Sequence, residues 1–301
     1  MNTQFLDLPE TDRKLAFDNA ALSMQLNAVV LEKDFWVSWL LGLLFSLPQV
    51  APFLVFKGGT SLSKVFGVID RFSEDIDLCL VPEFVGADAA GFDALASRVK
   101  RDAAVLEMQR LCADKARTVV QPALEDAICA ALGQAPAGQW LHYVLDVDAK
   151  SPILYFRYPT TQSTGFAYVA LELQRTFWEK ATILHAEYHR PAGSPTPDRY
   201  ARHYFDMARL LAHTNAAQFL ADVAQCDRVV DWKSRVFARG WARYDLARQG
   251  TFRLVPPPDH RADLARDYAT MRPMFMSEPP AFDELMAALA AAELTINMGQ
   301  R

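Results

Sequence analysis

The sequence predicts an α+β protein: a small mixed sheet with flanking helices, followed by a mainly helical C-terminal region. Three observations carry this. Residues 53–80 read as strand, glycine turn, short helix and strand. Three further β-like runs fall between residues 140 and 173. Beyond residue 177 the apolar spacing is helical, apart from a loop over Arg190–Pro197 and the break at Pro256–Pro258. A chain of 301 residues, 51% of them apolar, suffices for two modest domains with sizeable cores, expected at 1–175 and 176–301.

The first helix is expected over Thr11–Ala28, with Leu15, Ala16, Ala20, Leu22 and Met24 as its inner face. A second follows over Leu31–Leu47 and is ended by Pro48 and Pro52. Its most apolar stretch, Phe35–Leu47, is too short to span a bilayer, so no membrane partner is expected. Phe53–Phe56 is a short apolar strand that delivers the turn Lys57-Gly58-Gly59-Thr60-Ser61. Thr60 or Ser61 is placed to cap a helix over Leu62–Val68, and a strand follows over Asp75–Leu80. Phe92–Ala131 is helical in pattern and carries Arg98, Lys100, Arg101, Arg110, Lys115 and Arg117. Trp140–Ala149, Ile153–Tyr158 and Phe166–Leu173 are the β-like runs. Phe177–Tyr188, Arg199–His213, Ala216–Gln225, Asp231–Leu246, Arg261–Met271 and Ala281–Leu294 are the expected later helices.

Net charge is −5, so any nucleic-acid surface must be a local patch. The four cysteines form no C-x-x-C pair, which argues against a disulfide framework or zinc knuckle and fits a reducing cytoplasm. The N-terminus lacks a basic start followed by an apolar run, so no signal peptide is expected.

Asp75 and Asp77 alternate with Ile76, Leu78 and Leu80, so both carboxylates share one strand face. Such a pair suits a hard divalent ion, and two ions about 4 Å apart can hold the attacking and leaving oxygens of a phosphoryl transfer. D-x-D alone is common at solvated strand ends. Gly58 and Gly59 change the weighing, because glycines let backbone amides approach phosphate. Neither G-x-x-x-x-G-K-[ST] nor G-x-G-x-x-G occurs, which weakens P-loop and dinucleotide-fold readings. His185, Glu187 and His189 match no hydrolase or deaminase motif and read as surface or packing histidines. Cys79 shares the aspartates' face and reads as a small packed residue rather than a nucleophile.

The run F-K-G-G-T-S-L-S-K, then R-F-S-E-D-I-D-L, resembles the first motif of the AbiEii/AbiGii toxin family, MenT-like nucleotidyltransferases with a DNA polymerase β-like core. Fourteen residues separate Thr60 from Asp75, a spacing usual for this branch of the superfamily. Leu31–Trp36 (L-E-K-D-F-W), Arg175–Lys180 (R-T-F-W-E-K) and Arg202–Leu210 (R-H-Y-F-D-M-A-R-L) are also similar, in the family's order. The resemblance implies that Asp75 and Asp77 bind Mg2+, in a two-metal site, and that Gly59, Thr60 and Ser61 hold an NTP triphosphate with help from Lys64. Lys57, Gly58, Arg71 and Ser73 would join the nucleotide-binding set, with Arg71 and Ser73 contacting the nucleotide or shaping the turn. Lys180 would neutralise phosphate, where its residue type alone allows a solvated helix charge. Asp206 would be the acid of the last motif, where spacing alone makes it a partner of Arg202 or Arg209. Glu172 is the family-guided choice for a third carboxylate. The helical second domain would complete the active site.

The implied activity is NMP transfer from an NTP to an RNA acceptor, with the 3′ end of tRNA as the favoured target. The implied setting is a toxin–antitoxin system of the cytoplasm, with a cognate antitoxin encoded nearby and a place in phage defence. Arg98–Arg117 and Arg228–Arg248 are candidate RNA-phosphate contacts, or else solvated helix faces. Two alternatives stay open: nucleotidylation of a protein hydroxyl, and a nucleotide-binding regulator without turnover.

Overall fold

The computed structural model describes residues 3–298 except 74, 89–90, 92–94, 96, 147–150, 163–166, 172–175 and 238. The chain divides into two compact units, residues 1–66 with 71–173 and residues 67–70 with 174–301.

The first unit is built on a five-stranded mixed sheet, β1 (Leu54–Lys57), β2 (Asp75–Leu80), β3 (Leu141–Asp146), β4 (Ser151–Phe156) and β5 (Ala167–Leu171), in the order β1-β2-β5-β4-β3. β2 and β5 are parallel, and the other three pairings are antiparallel. The strands fall within or one to two residues before the β-like runs of the sequence, and Pro152 sits opposite Leu145 near the hairpin end of β4.

α1 (Glu10–Met24) and α2 (Ala28–Leu44) precede the sheet. The inner face of α1 differs from the expected one. Phe17 is its buried residue, while Leu15, Leu22 and Met24 are exposed. Phe17 meets Phe5 and Phe35 edge-on, with ring centres at 5.4 and 5.8 Å. These aromatic contacts set the rotation of the helix and outweigh the smaller aliphatic residues. α2 begins before Leu31 because the Asn27 side chain accepts the Val29 N–H at 2.9 Å, an N-cap. Its Trp36, Leu40 and Leu44 pack with Ile76, Leu78, Leu80, Trp140 and Phe156 in one core. Trp36 stacks on Tyr158, and Trp39 on Phe156.

α3 (Gly58–Lys64) starts at the glycines, not at Leu62. Lys57 is its N-cap residue and no side chain caps it, so Thr60 and Ser61 lie inside the first turn. The helix begins early because Gly58, at φ +74°, turns the chain straight out of β1. After the one-turn α4 (Pro82–Val85), a long helical rod runs as α5 (Arg98–Lys115), a π-helical turn over Ala116–Val120, and α6 (Gln121–Leu132). Pro122 lacks an N–H and crowds the carbonyl four residues back, which accounts for the widened turn before it.

The second unit is helical: α7 (Thr176–Tyr188), α8 (Ala201–Leu211), α9 (Ala216–Ala221), α10 (Val223–Val236), α11 (Pro258–Thr270) and α12 (Phe282–Met298). The expected break between Gln225 and Asp231 lies instead at Asp222, whose carboxylate accepts the Gln225 N–H at 2.9 Å and caps α10. The expected helix over Asp231–Leu246 is not continuous. α10 ends at Val236, and 3₁₀ turns over Gly240–Ala242 and Tyr244–Leu246 follow, with Arg243 left-handed at φ +45° between them. Pro258 opens α11 at its first position, where a missing N–H is harmless. Phe205, Tyr268 and Phe275 form an aromatic core. Residues 67–70 are fastened into this unit by Met276 N–H to Asp70 O at 2.9 Å and Arg209 Nε to Val68 O at 3.2 Å.

Candidate active site

β1 and β2 bring the glycine turn against the D-x-D strand. Lys57 pairs opposite Asp77 and Val55 opposite Cys79. Ile76, Leu78 and Leu80 are buried in the core, while Asp75 and Asp77, on the other face, keep partial exposure. A Cβ added at Gly58 would stand 1.8 Å from Asp77 Oδ2, so the carboxylate rests directly on the turn. At Gly59 a Cβ would meet Ser73 Oγ at 2.7 Å and Arg71 Nη2 at 3.0 Å. Arg71 and Ser73 therefore lie against Gly59. Arg71 is buried and donates from Nη1 to the Phe72 carbonyl at 2.9 Å. Lys57 is buried as well, so two cations and two carboxylates belong to the strands and turn of this one unit.

Other predicted residues have internal commitments. Thr60 Oγ1 donates to the Asp75 carbonyl, tying α3 to the start of β2. Ser61 Oγ donates to the Gly58 carbonyl at 2.9 Å. Both hydroxyls are buried, so the turn presents backbone rather than hydroxyls to a ligand. Lys64 forms an ion pair with Asp34. That pair joins the first-motif run to Leu31–Trp36, and it gives the Lys64 ammonium a carboxylate within the protein. Glu32, from the same segment, is fully buried. Its carboxylate accepts from Thr161 N at 2.7 Å, Thr161 Oγ1 at 2.9 Å and Thr160 Oγ1 at 2.6 Å. This clamp was not assigned from the sequence, where Glu32 reads as one more charge at the start of a helix.

In the second unit α7 and α8 bring Lys180 and Asp206 together. Lys180 Nζ lies 2.6 Å from Asp206 Oδ2, with side-chain exposures of 9% and 0%. His203 Nδ1 is 3.4 Å from the same ammonium. Asp206 therefore pairs with a lysine on another helix, where spacing alone suggested its helix neighbours Arg202 or Arg209. Lys233, buried on α10, donates to the Glu179 carbonyl at 3.0 Å, beside Lys180. His203 carries a spacing signal, one turn before Asp206. Lys233 carries none, because only the fold of α10 against α7 gives it a role.

His185 is a packing histidine, fully buried. Its Nδ1 accepts the Arg253 N–H at 3.1 Å and its Nε2 faces the Arg243 carbonyl at 3.0 Å, which fixes the proton on Nε2. Burial pushes its pKa down to about 4. Glu187 holds Arg190 at 2.7 Å. Burial raises the Cys112 thiol to about 11 and the Cys226 thiol to about 12, which leaves both unreactive at neutral pH. Cys79 is buried, as a packed residue should be. Glu172 lies outside the described residues. Among the described residues, no three His, Cys, Asp or Glu side chains gather as a metal site. The oxygen-only pair Asp75 and Asp77 nevertheless suits Mg2+, which keeps several positions for water and phosphate oxygens.

The model of the AbiEii nucleotidyl transferase toxin family, type IV toxin–antitoxin system, matches residues 39–288. The chain belongs to this family. It is thus a nucleotidyltransferase toxin by family, and the family's toxin–antitoxin setting implies an antitoxin partner and a nucleotide substrate. The match runs through the glycine turn, Asp75, Asp77, Lys180 and Asp206. Neither a curated protein nor a solved structure matches the chain. No described helix is long and apolar enough to cross a membrane.

Proposed function

We propose that this family member is a Mg2+-dependent nucleotidyltransferase with a polymerase β-like core. In this reading it moves a nucleoside monophosphate from an NTP to the 3′ end of an RNA, tRNA being the favoured acceptor. The observation that carries the reading is the Asp77 carboxylate resting on Gly58, with Asp75 on the same strand face.

When bound there, Mg2+ supplies charge neutralisation of the triphosphate and of the oxygens exchanged at phosphorus. The protein's own residues do the rest. Asp75 and Asp77 hold the cation, with Glu172 as the proposed third carboxylate. Backbone amides of the Gly58–Gly59 turn approach the phosphates, and Arg71 and Ser73 fix the shape of that turn. Lys180 supplies a compact positive charge for phosphate, held in place by Asp206 until substrate arrives. The acceptor hydroxyl oxygen bonds the α-phosphorus. The bond from that phosphorus to the bridging oxygen breaks, pyrophosphate leaves, and a carboxylate of the site takes the hydroxyl proton.

The test incubates the protein with each α-labelled NTP, Mg2+ and total RNA, beside Asp75→Asn. Label in RNA for wild type and none for the variant is the expected result. Label in protein instead would move the reading to a protein hydroxyl. Label by Asp75→Asn at the wild-type rate would overturn the mechanism.

A further inference from the structure

His203 takes no part in the chemistry proposed above, yet it stands against the Lys180 ammonium. It lies on α8 one turn before Asp206, so the imidazole and the carboxylate share a helix face. Lys180 reaches both from α7. Its Nζ is 2.6 Å from Asp206 Oδ2 and 3.4 Å from His203 Nδ1. Lys180 and Asp206 are buried, and His203 is half-buried. One further turn back, Tyr200 meets the imidazole edge-on, with ring centres 4.8 Å apart. The ring is thus held from one side by an aromatic neighbour and meets the ammonium with Nδ1.

We propose, resting on the transferase reading above, that His203 is a positioning residue: its neutral imidazole aims the Lys180 ammonium at phosphate and acts on the reaction only through that lysine. Three arguments support the assignment. The first is the proton inventory. An ammonium has donors and no acceptor, so His203 Nδ1 must offer its lone pair. The ring is then neutral, with its proton on Nε2. The second is charge. Asp206 already balances the lysine, and a second carboxylate in place of His203 would turn the cluster negative and repel a triphosphate. A neutral acceptor fixes the ammonium without cancelling its charge. The third is geometry. Lysine is a point charge on a flexible four-carbon stem, and one carboxylate leaves it free to swing. Two acceptors one turn apart define a direction. Among the described residues they engage two of the three ammonium N–H groups, which leaves the third for a phosphate oxygen.

The experiment compares His203→Leu, His203→Asn and His203→Gln in the full chain, with label transfer from NTP to RNA as the first readout. Asparagine places its amide oxygen where Nδ1 lies, whereas glutamine places its amide near Nε2. His203→Leu should lower kcat at least about tenfold, the loss expected for one hydrogen bond to a charged group. His203→Asn should restore most of that rate, and His203→Gln should not. A ring that merely packs against Tyr200 would be replaced by glutamine as well as by asparagine. Thermal midpoints check that all three variants fold. The second readout needs no transfer and no variant beyond an assignment control. Nitrogen-15 NMR of histidine-labelled wild type at about pH 8, with His203 assigned by its loss in His203→Asn, should show Nδ1 unprotonated and Nε2 protonated. A proton on Nδ1 would overturn the proposal. If wild type transfers label and His203→Leu matches its rate, or His203→Asn and His203→Gln behave alike, the positioning role fails and the transferase mechanism stands. If wild type transfers no label, the transferase reading fails, and the Nδ1 state still decides whether His203 holds the ammonium.

Discussion

The carboxylate of Asp77 occupies the space where a side chain at Gly58 would begin, 1.8 Å from a Cβ built there. Gly58 is therefore required twice, for its backbone and for its emptiness. Its φ of +74° is strained for any residue with a Cβ, and the contact forces Asp77 to move.

Gly58→Ala should cost about 2 kcal/mol of stability and at least about 100-fold in transfer rate, because a displacement of about 1 Å suffices for such a loss. Gly133→Ala is the control. Gly133 has φ +78° with nothing within 4 Å of an added Cβ, so this variant carries backbone strain alone. Urea denaturation should show a loss for both, the larger for Gly58→Ala, while only Gly58→Ala loses transfer. Equal transfer by both would show that Asp77's position against the turn does not matter.

Much of this site was legible in the sequence because it is local. Two glycines, two aspartates and an alternating strand specify the turn and the shared face within the 22 residues from Gly58 to Cys79, and period-two geometry does not depend on distant packing. The less legible features depend on contacts far apart in sequence. The inner face of α1 is set by Phe5 and Phe35, not by α1's own pattern. Asp206 finds Lys180 on another helix, a choice that the near-equal spacing to Arg202 and Arg209 could not reveal. The helix break at Asp222 follows from one side-chain cap, which a helical apolar pattern on both sides conceals.

Glu32 offers a test of such a distant contact. It is fully buried, and its oxygens satisfy the Thr161 N–H and the hydroxyls of Thr160 and Thr161. Glu32→Ala leaves those donors unpaired and should destabilise the protein by about 2–4 kcal/mol. Glu32→Gln keeps the shape and part of the bonding, so about half that loss is expected. A thermal midpoint for Glu32→Ala within a degree of wild type would show that the clamp contributes nothing.

The Lys180–Asp206 pair separates stability from chemistry. Removing one partner takes the opposite charge away from a buried ion, so Lys180→Met and Asp206→Leu should each cost about 3 kcal/mol. The double variant replaces both charges with apolar groups and should recover most of that loss, while transfer stays absent in all three. Transfer restored in the stable double variant would reduce the pair to a structural role.

The buried His185 should make the protein acid-sensitive. Its pKa is pushed down to about 4, chiefly by burial, against about 6.5 in the unfolded chain. His189 is shifted the same way, by burial and by the nearby Arg243 and Arg253. Between pH 6.5 and 4 the unfolded state binds a proton that the folded state refuses at His185, so stability rises with pH across this window and is lost as pH falls through it. The slope from this one group approaches about 1.4 kcal/mol per pH unit. His185→Gln should lower stability at pH 7.5, where two backbone partners lose their bonds to the ring, yet show a shallower loss between pH 6.5 and 5. Urea midpoints at pH 7.5, 6.5, 5.5 and 5 for both proteins measure the difference. Parallel curves for wild type and variant would assign the acid sensitivity to other groups.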